Sequence, residues 1–217
     1  MAAILKGPAM TIAIIDYGMG NVRSLSNALE FLGTDVVLSK DPDELAEAER
    51  LLLPGVGAFG DAMKAINQSG LRPLLDRLAL EEKKPVLGVC LGMQLFAKTS
   101  VEHGRHEGLG WLDAEVLPIA AAAPAKVPHV GWNAVSFAPD EWLFKGLPSG
   151  ESDYYFVHSF HMVCHDPADR VGTTDHGGTV TAAVRRGNLV ATQFHPEKSQ
   201  DNGLQLLQNW MDHDFAC

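Results

Sequence analysis

The first ninety residues alternate short apolar runs with segments of helical spacing. TIAIID (11–16), DVVLS (35–39), RLLLP (50–54) and PVLGV (85–89) are dense in aliphatic and β-branched residues, the pattern of buried strands. Between the first two, VRSLSNALEFLG places apolar residues at 22, 25, 28, 29 and 32, with Asn21 as its cap and Gly33 as its stop. Asp41 and Pro42 open a second helix through DELAEAE. DAMKAI and RPLLDRLALEEK are helical, and GVGAFG before them is a loop. Strand and helix at this rhythm predict an α/β fold of three layers: a mostly parallel twisted sheet, helices on both faces, right-handed crossovers.

The pattern changes after about residue 120. VPHVGWNAVSF, DYYFVHSFH, VGTTD, TVTAAVRR and NLVATQF are strand-like runs broken by Gly, Pro, Asn or Asp, which predicts antiparallel additions to the first sheet. SQDNGLQLLQNWMDHDF is a closing helix with Leu204, Leu207 and Met211 on one face. IAAAAPAK (119–126) reads as a loop. There is no internal repeat.

Composition narrows the picture. The chain has 217 residues, 46% hydrophobic, enough for one substantial core. One domain over 11–217 is expected, after an N-terminal extension (1–10) with Met10 as an alternative start. A formal charge of −10 with no basic run argues against nucleic acid or an anionic membrane as partner. Cys90, Cys164 and Cys217 are too few and too widely spaced for a disulfide framework or a zinc site, which suits a reducing, cytoplasmic setting. No apolar stretch approaches the roughly 20 residues of a membrane helix. Neither a phosphate-cradling loop, a dinucleotide fingerprint nor a metal-ligand cluster stands out, so no cofactor and no metal are expected.

The chemistry gathers at two places. GVCLGMQ (88–94) sets Cys90 between glycines directly after an apolar strand, a G-x-C-x-G form of the nucleophile elbow. A tight strand-to-helix turn strains the nucleophile's backbone, so its neighbours must lack bulk. A helix beginning at Leu91 would aim free N–H groups at the sulfur, favouring thiolate and offering an oxyanion donor. A small buried cysteine after a core strand would look the same in this pentapeptide.

The second place supplies a base. In QFHPEKS (193–199), Pro196 biases His195 toward extended geometry, where residues i and i+2 share a side, so Glu197 projects with His195. The imidazole can take the thiol proton while the carboxylate fixes its tautomer. A strand end with a surface ion pair is the bland counterpart; the two motifs together are far more specific than either.

These residues resemble the triad (class I) glutamine amidotransferases, and PGVGAF (54–59), PHVGWN (128–133) and YFVHSF (155–160) make the likeness closest to the glutaminase subunits of imidazole glycerol phosphate synthases, over about residues 11 to 215. The resemblance implies a flavodoxin-like amidotransferase sheet and a catalytic set of Cys90, His195 and Glu197. It implies an oxyanion hole from the amides of Leu91 and Val56, the latter held between Gly55 and Gly57 so that its peptide can turn at little steric cost and be set by a partner. For glutamine it implies Gly57, Gln94, Glu102 and the backbone of Ser159 and Phe160. Gln94 also lies one helical turn after Cys90. Glu102 would meet the α-ammonium or remain a solvated loop carboxylate.

For a cyclase partner subunit that would receive ammonia, the resemblance points to Asn21, Pro128, His129, Trp132, Asn133 and Lys198. A tryptophan is equally at home in a core, and Lys198 in solvent. HVGW in place of HMGW, and Phe160 in place of a tyrosine, depart from the family pattern. The other readings are a glutaminase subunit of a different amidotransferase, a noncatalytic regulatory subunit on the same scaffold, and a thiol esterase or peptidase.

Overall fold

The computed structural model describes residues 10–120 and 122–215. Apart from Met10, the expected N-terminal extension lies outside these residues, as does Cys217.

The first half runs β1 (Thr11–Ile15), α1 (Val22–Phe31), β2 (Asp35–Ser39), α2 (Pro42–Glu47), β3 (Arg50–Leu53), α3 (Phe59–Ser69), α4 (Arg72–Asp76), β4 (Val86–Val89) and α5 (Leu91–Leu95). The second runs β5 (Thr99–Ser100), β6 (His106–Glu107), β7 (Ala114–Pro118), β8 (His129–Phe137), β9 (Glu151–His158), β10 (Phe160–Cys164), β11 (Arg170–Asp175), β12 (Thr179–Arg186), β13 (Leu189–Thr192) and α6 (Gln200–Asp212).

The main sheet has nine strands in the order β2-β1-β3-β4-β13-β12-β11-β8-β9. From β2 to β13 every pairing is parallel; from β13 to β9 every pairing is antiparallel. Strands β1, β3, β4 and β13 are buried on both sides, which explains their continuous apolar runs, while the edge strand β2 leaves Asp35 and Leu38 exposed. Ile12 and Ile14 face one core with Leu25 and Leu29 of α1 and Trp210 of α6, while Ala13 and Ile15 face the other with Leu45 of α2 and Phe59 of α3. Alternation therefore survives as a choice between two cores rather than between core and solvent.

Several expectations need correction. DYYFVHSFH is not one strand: the chain breaks at Ser159, and β9 ends the main sheet while β10 joins a separate sheet ordered β10-β7-β5-β6. Three members of that sheet, β5, β6 and β7, are not expected from the sequence: β5 and β6 are two residues each and leave no periodicity to read, and the alternation in AEVLP (β7) is only five residues long. The stretch after Leu71 is α4 followed by a wide π turn over Arg77–Glu81 rather than one α-helix. Helix α3 begins at Phe59, inside the expected loop, and the Glu102 carboxylate accepts the Phe59 N–H at 2.7 Å. On α6 the buried face is Leu206, Leu207, Trp210 and Met211, with Leu204 half-buried. Asp41 caps α2 as expected by accepting from Asp43 and Glu44, but Asn21 does not cap α1: its amide donates to Ser24 Oγ.

Candidate active site

Neighbouring parallel strands β3, β4 and β13 end together, and each delivers one part of a site to the same edge. After β4 comes Cys90, at φ 56° and ψ −110°, a conformation that non-glycine residues adopt only under strain. Its turn is held by the Cys90 N–H donating to Thr192 O at 2.8 Å. The flanking glycines are packing requirements. A Cβ on Gly92 would fall 1.9 Å from Leu53 O, and one on Gly88 would fall 2.9 Å from Gly92 O. The backbone of α5 thus lies directly on the ends of β3 and β4. Helix α5 is only five residues long, so its macrodipole is weak; what it offers is the Leu91 N–H, which has no partner within the helix.

After β3 comes the PGVGAF loop. Gly55 is pressed against α5, since a Cβ there would meet Gly92 N at 2.7 Å, whereas Gly57 at φ +97° has only the end of the Met19 side chain within 4 Å. The Val56 N–H belongs to the Gly55–Val56 peptide, which turns through ψ of Gly55 and φ of Val56, and a side chain at Gly55 would break the contact with α5. Val56 itself is exposed.

After β13 comes His195, 2% exposed. Its Nδ1 donates to Glu197 Oε1 at 2.9 Å, and that carboxylate is almost wholly buried. The pairing expected from QFHPEKS is present, but for a different reason. Pro196–Lys198 is a 3-10 turn, so the chain folds the carboxylate back onto the ring instead of extending past it. Ser199 Oγ locks the turn by donating to His195 O at 2.6 Å. With Nδ1 held by Glu197, Nε2 is the ring nitrogen left to exchange a proton with Cys90; it is buried and has no partner within hydrogen-bond distance. Burial lowers the His195 pKa, but the nearby Cys90 sulfur and the hydrogen-bonded Glu197 carboxylate outweigh it, and the net result is a pKa raised to about 9.

A cavity of about 360 Å³ opens over this edge, lined by Val56, Gly57, Cys90, Leu91, Gln94, Glu102, Pro128, Val157, His158, Ser159, Phe160, His195 and Lys198. It gathers the expected nucleophile, base, oxyanion loop and glutamine-binding residues, with Glu197 directly behind His195. Two expected roles change in detail. Glu102 has one oxygen engaged at the α3 N-terminus, so it is neither a free solvated carboxylate nor wholly available to a ligand. Gln94 is buried, its amide donating to Phe160 O and Gln193 Oε1, both at 3.0 Å.

Of the expected partner-facing residues, Pro128, Trp132 and Lys198 are exposed, with Lys198 Nζ 5.9 Å from the Tyr155 ring centre. His129 is not: it is 3% exposed, stacked on Phe156 and hydrogen-bonded on both nitrogens.

Sequence reasoning missed Gln193, which is fully buried with Nε2 3.9 Å from Cys90 Sγ. A glutamine at the end of an apolar run was the available signal. It also missed the Val157 carbonyl, 4.0 Å from the sulfur, and Tyr17, whose hydroxyl reaches the oxyanion loop; neither leaves a local sequence signature.

The model of the family described as "Glutamine amidotransferase class-I" matches residues 13–213. The chain is 47% identical over 205 residues to the imidazole glycerol phosphate synthase subunit HisH 2 of Nitrobacter winogradskyi, covering 92% of this chain and 97% of that one. It is 45% identical to the subunit HisH of Zymomonas mobilis, covering 93% and 95%. Among solved structures, PurLQS from Thermotoga maritima shares the fold at a TM-score of 0.72 and 20% identity, covering 94% of this chain and 98% of that one.

Proposed function

This chain belongs to the class I glutamine amidotransferases, and within them to the HisH subunits of imidazole glycerol phosphate synthase; we infer from that premise how its own residues hydrolyse glutamine and pass on the ammonia. One observation carries the assignment of roles: a cysteine held at a strained turn and a buried histidine, itself fixed by a buried carboxylate, line the same cavity of about 360 Å³.

His195 Nε2 accepts the Cys90 thiol proton, and the thiolate attacks the side-chain amide carbon of glutamine. Negative charge moves to the amide oxygen, where the Leu91 and Val56 amides are the donors. As the C–N bond breaks, the imidazolium proton goes to the nitrogen, ammonia leaves, and a thioester remains. The acylated sulfur no longer carries charge, so it ceases to hold up the His195 pKa. The imidazole can then take a proton from water, whose oxygen attacks the thioester carbon; the proton returns to sulfur and glutamate departs. Side chains and backbone supply every step, so no cofactor is needed.

In this reading Gln94, Gly57, Glu102 and the Ser159–Phe160 backbone hold the glutamine, and ammonia passes to a cyclase subunit that forms imidazole glycerol phosphate and an aminoimidazole carboxamide ribotide, a step of histidine biosynthesis in the cytoplasm. The docking face is the surface of β8 and the edge strand β9 next to the cavity, where Val130, Trp132 and Val157 are exposed apolar residues and Val157 and Lys198 also line the cavity; Asn21 is assigned to the same face. Among the described residues no helix is long and apolar enough to cross a membrane. Docking gates the reaction through the Val56 peptide.

The test is glutamate release by wild type and Cys90→Ala, with and without the cyclase and its nucleotide ligand. Release mainly in the complex and none in the variant is expected. Release indifferent to the cyclase would move the chain to another glutaminase, and release surviving in Cys90→Ala would remove the nucleophile.

A further inference from the structure

His129 and His158 face each other across β8 and β9 in direct register, both buried. Their hydrogen bonds fix their tautomers. His158 Nδ1 lies 2.8 Å from Phe160 O, and a carbonyl can only accept, so Nδ1 carries the proton. In the neutral ring His158 Nε2 is then an acceptor, and His129 Nδ1, 2.9 Å away, donates to it. His129 Nε2 in turn accepts from Asn133 Nδ2 at 3.1 Å, and the other Asn133 N–H goes to Asp175 O at 2.9 Å. Every bond points the same way. Burial keeps both rings neutral, lowering His158 to about 3, and lowering His129, with help from the stacked His176, to about 4. With both nitrogens engaged, neither ring offers a lone pair to a metal.

The chain of bonds ends in the glutamine pocket. Phe160 O also accepts from Gln94, whose amide meets Gln193, and Gln193 reaches toward Cys90 Sγ. At its other end Asn133 adjoins Trp132, which is 49% exposed on the docking face.

We propose that His129 and His158 are positioning residues that couple partner docking on the Trp132–Asn133 strand to the placement of the Phe160 carbonyl and the Gln94 amide. This rests on the assignment of the cyclase partner and its docking face. A movement of Asn133 cannot be absorbed by ring reorientation, because flipping either histidine would leave a buried donor or acceptor unpaired. The displacement is passed on instead.

The test uses two substitutions that share one cut, the bond between Asn133 and His129. His129→Asn keeps a donor toward His158, but its shorter side chain does not bring an acceptor to the position of His129 Nε2; Asn133→Ala cuts the same link from the other side, together with the bonds to Asp175 O and from Ala134 N. The readout is the ratio of glutamine kcat/KM with saturating cyclase to that without it, alongside cyclase affinity and melting temperature. We expect each variant to lower the ratio by about fivefold or more, and the double variant to lower it no further, since both remove one link. A ratio unchanged in the single variants, or losses that multiply in the double, would overturn the coupling. A ratio restored once saturation is reached would reduce the effect to docking affinity and overturn it equally. In the wild type, nitrogen NMR should show both rings as Nδ1–H tautomers at pH 7, a readout that needs no variant; Nε2–H in either would sink the relay. If wild-type glutamate release ignores the cyclase, the functional assignment itself fails, which the variants cannot mimic.

Discussion

The Tyr17 hydroxyl donates to the Pro54 carbonyl at 2.7 Å, a buried bond that joins the glycine turn after β1 to the first residue of the oxyanion loop. Burial, and then the charge of Cys90, push the Tyr17 pKa upward, so the phenol stays a donor at any working pH. With Glu102 holding the Phe59 N–H, the loop is clamped at both ends and only its middle is free to turn. Tyr17→Phe removes one clamp and leaves Pro54 O buried without a partner. We expect a stability loss of about 1–2 kcal/mol by urea unfolding. The kcat in the complex should fall about tenfold, short of the roughly hundredfold loss that follows deletion of an oxyanion donor. An unchanged kcat would show that the loop does not depend on this bond.

Gly92→Ala should be among the most damaging single substitutions. Its new methyl would overlap the Leu53 carbonyl at 1.9 Å, and that oxygen belongs to a central strand that cannot yield. We expect a loss of more than about 3 kcal/mol, or failure to fold. Near-wild-type urea stability would contradict the close packing of α5 on β3.

Cys90 is strained whatever its chemistry, so removing the thiol and removing the strain are separable. Cys90→Ala keeps the Cβ at φ 56°; Cys90→Gly does not. Both should abolish glutamate release, yet the glycine variant should be more stable than the alanine variant by roughly 1 kcal/mol. The comparison is of melting temperatures, and equal values would mean the turn is not strained.

The raised His195 pKa has a signed consequence. A group whose pKa is higher folded than unfolded contributes stability that is full below its unfolded value, near 6.5, and is lost as pH climbs through its folded value of about 9. Part of the stability of the wild type should therefore disappear between pH 6.5 and 9. Glu197→Gln removes one of the groups that raise the pKa, so its imidazole should titrate lower by NMR and its share of the loss should shrink. Activity in the variant should fall because the tautomer is no longer fixed. An unshifted titration would mean Cys90 alone raises the pKa.

The local sequence determined the elements whose reasons are local. Five-residue aliphatic runs can only be strands in a sheet covered on both sides, Asp41 caps the helix that follows it, and glycines around Cys90 require a turn with no room for side chains. The residue types of the triad were legible for the same reason, because their chemistry restricts them and they sit in short motifs. Tertiary structure decided whatever depends on which distant segments meet. Ser159 sends β10 away from β9 into a second sheet, a choice made by pairing with Ala114–Pro118 and invisible to periodicity. His129 looked like a docking residue in PHVGWN, but register with His158 turns it inward. Gln193 and the Val157 carbonyl enter the site because β13 and β9 end beside β4 or its turn, and Tyr17 because β1 ends beside β3. Hydrophobic pattern specifies a segment's conformation and buried face, while long-range strand pairing sets what that face touches, and the site is made of such contacts.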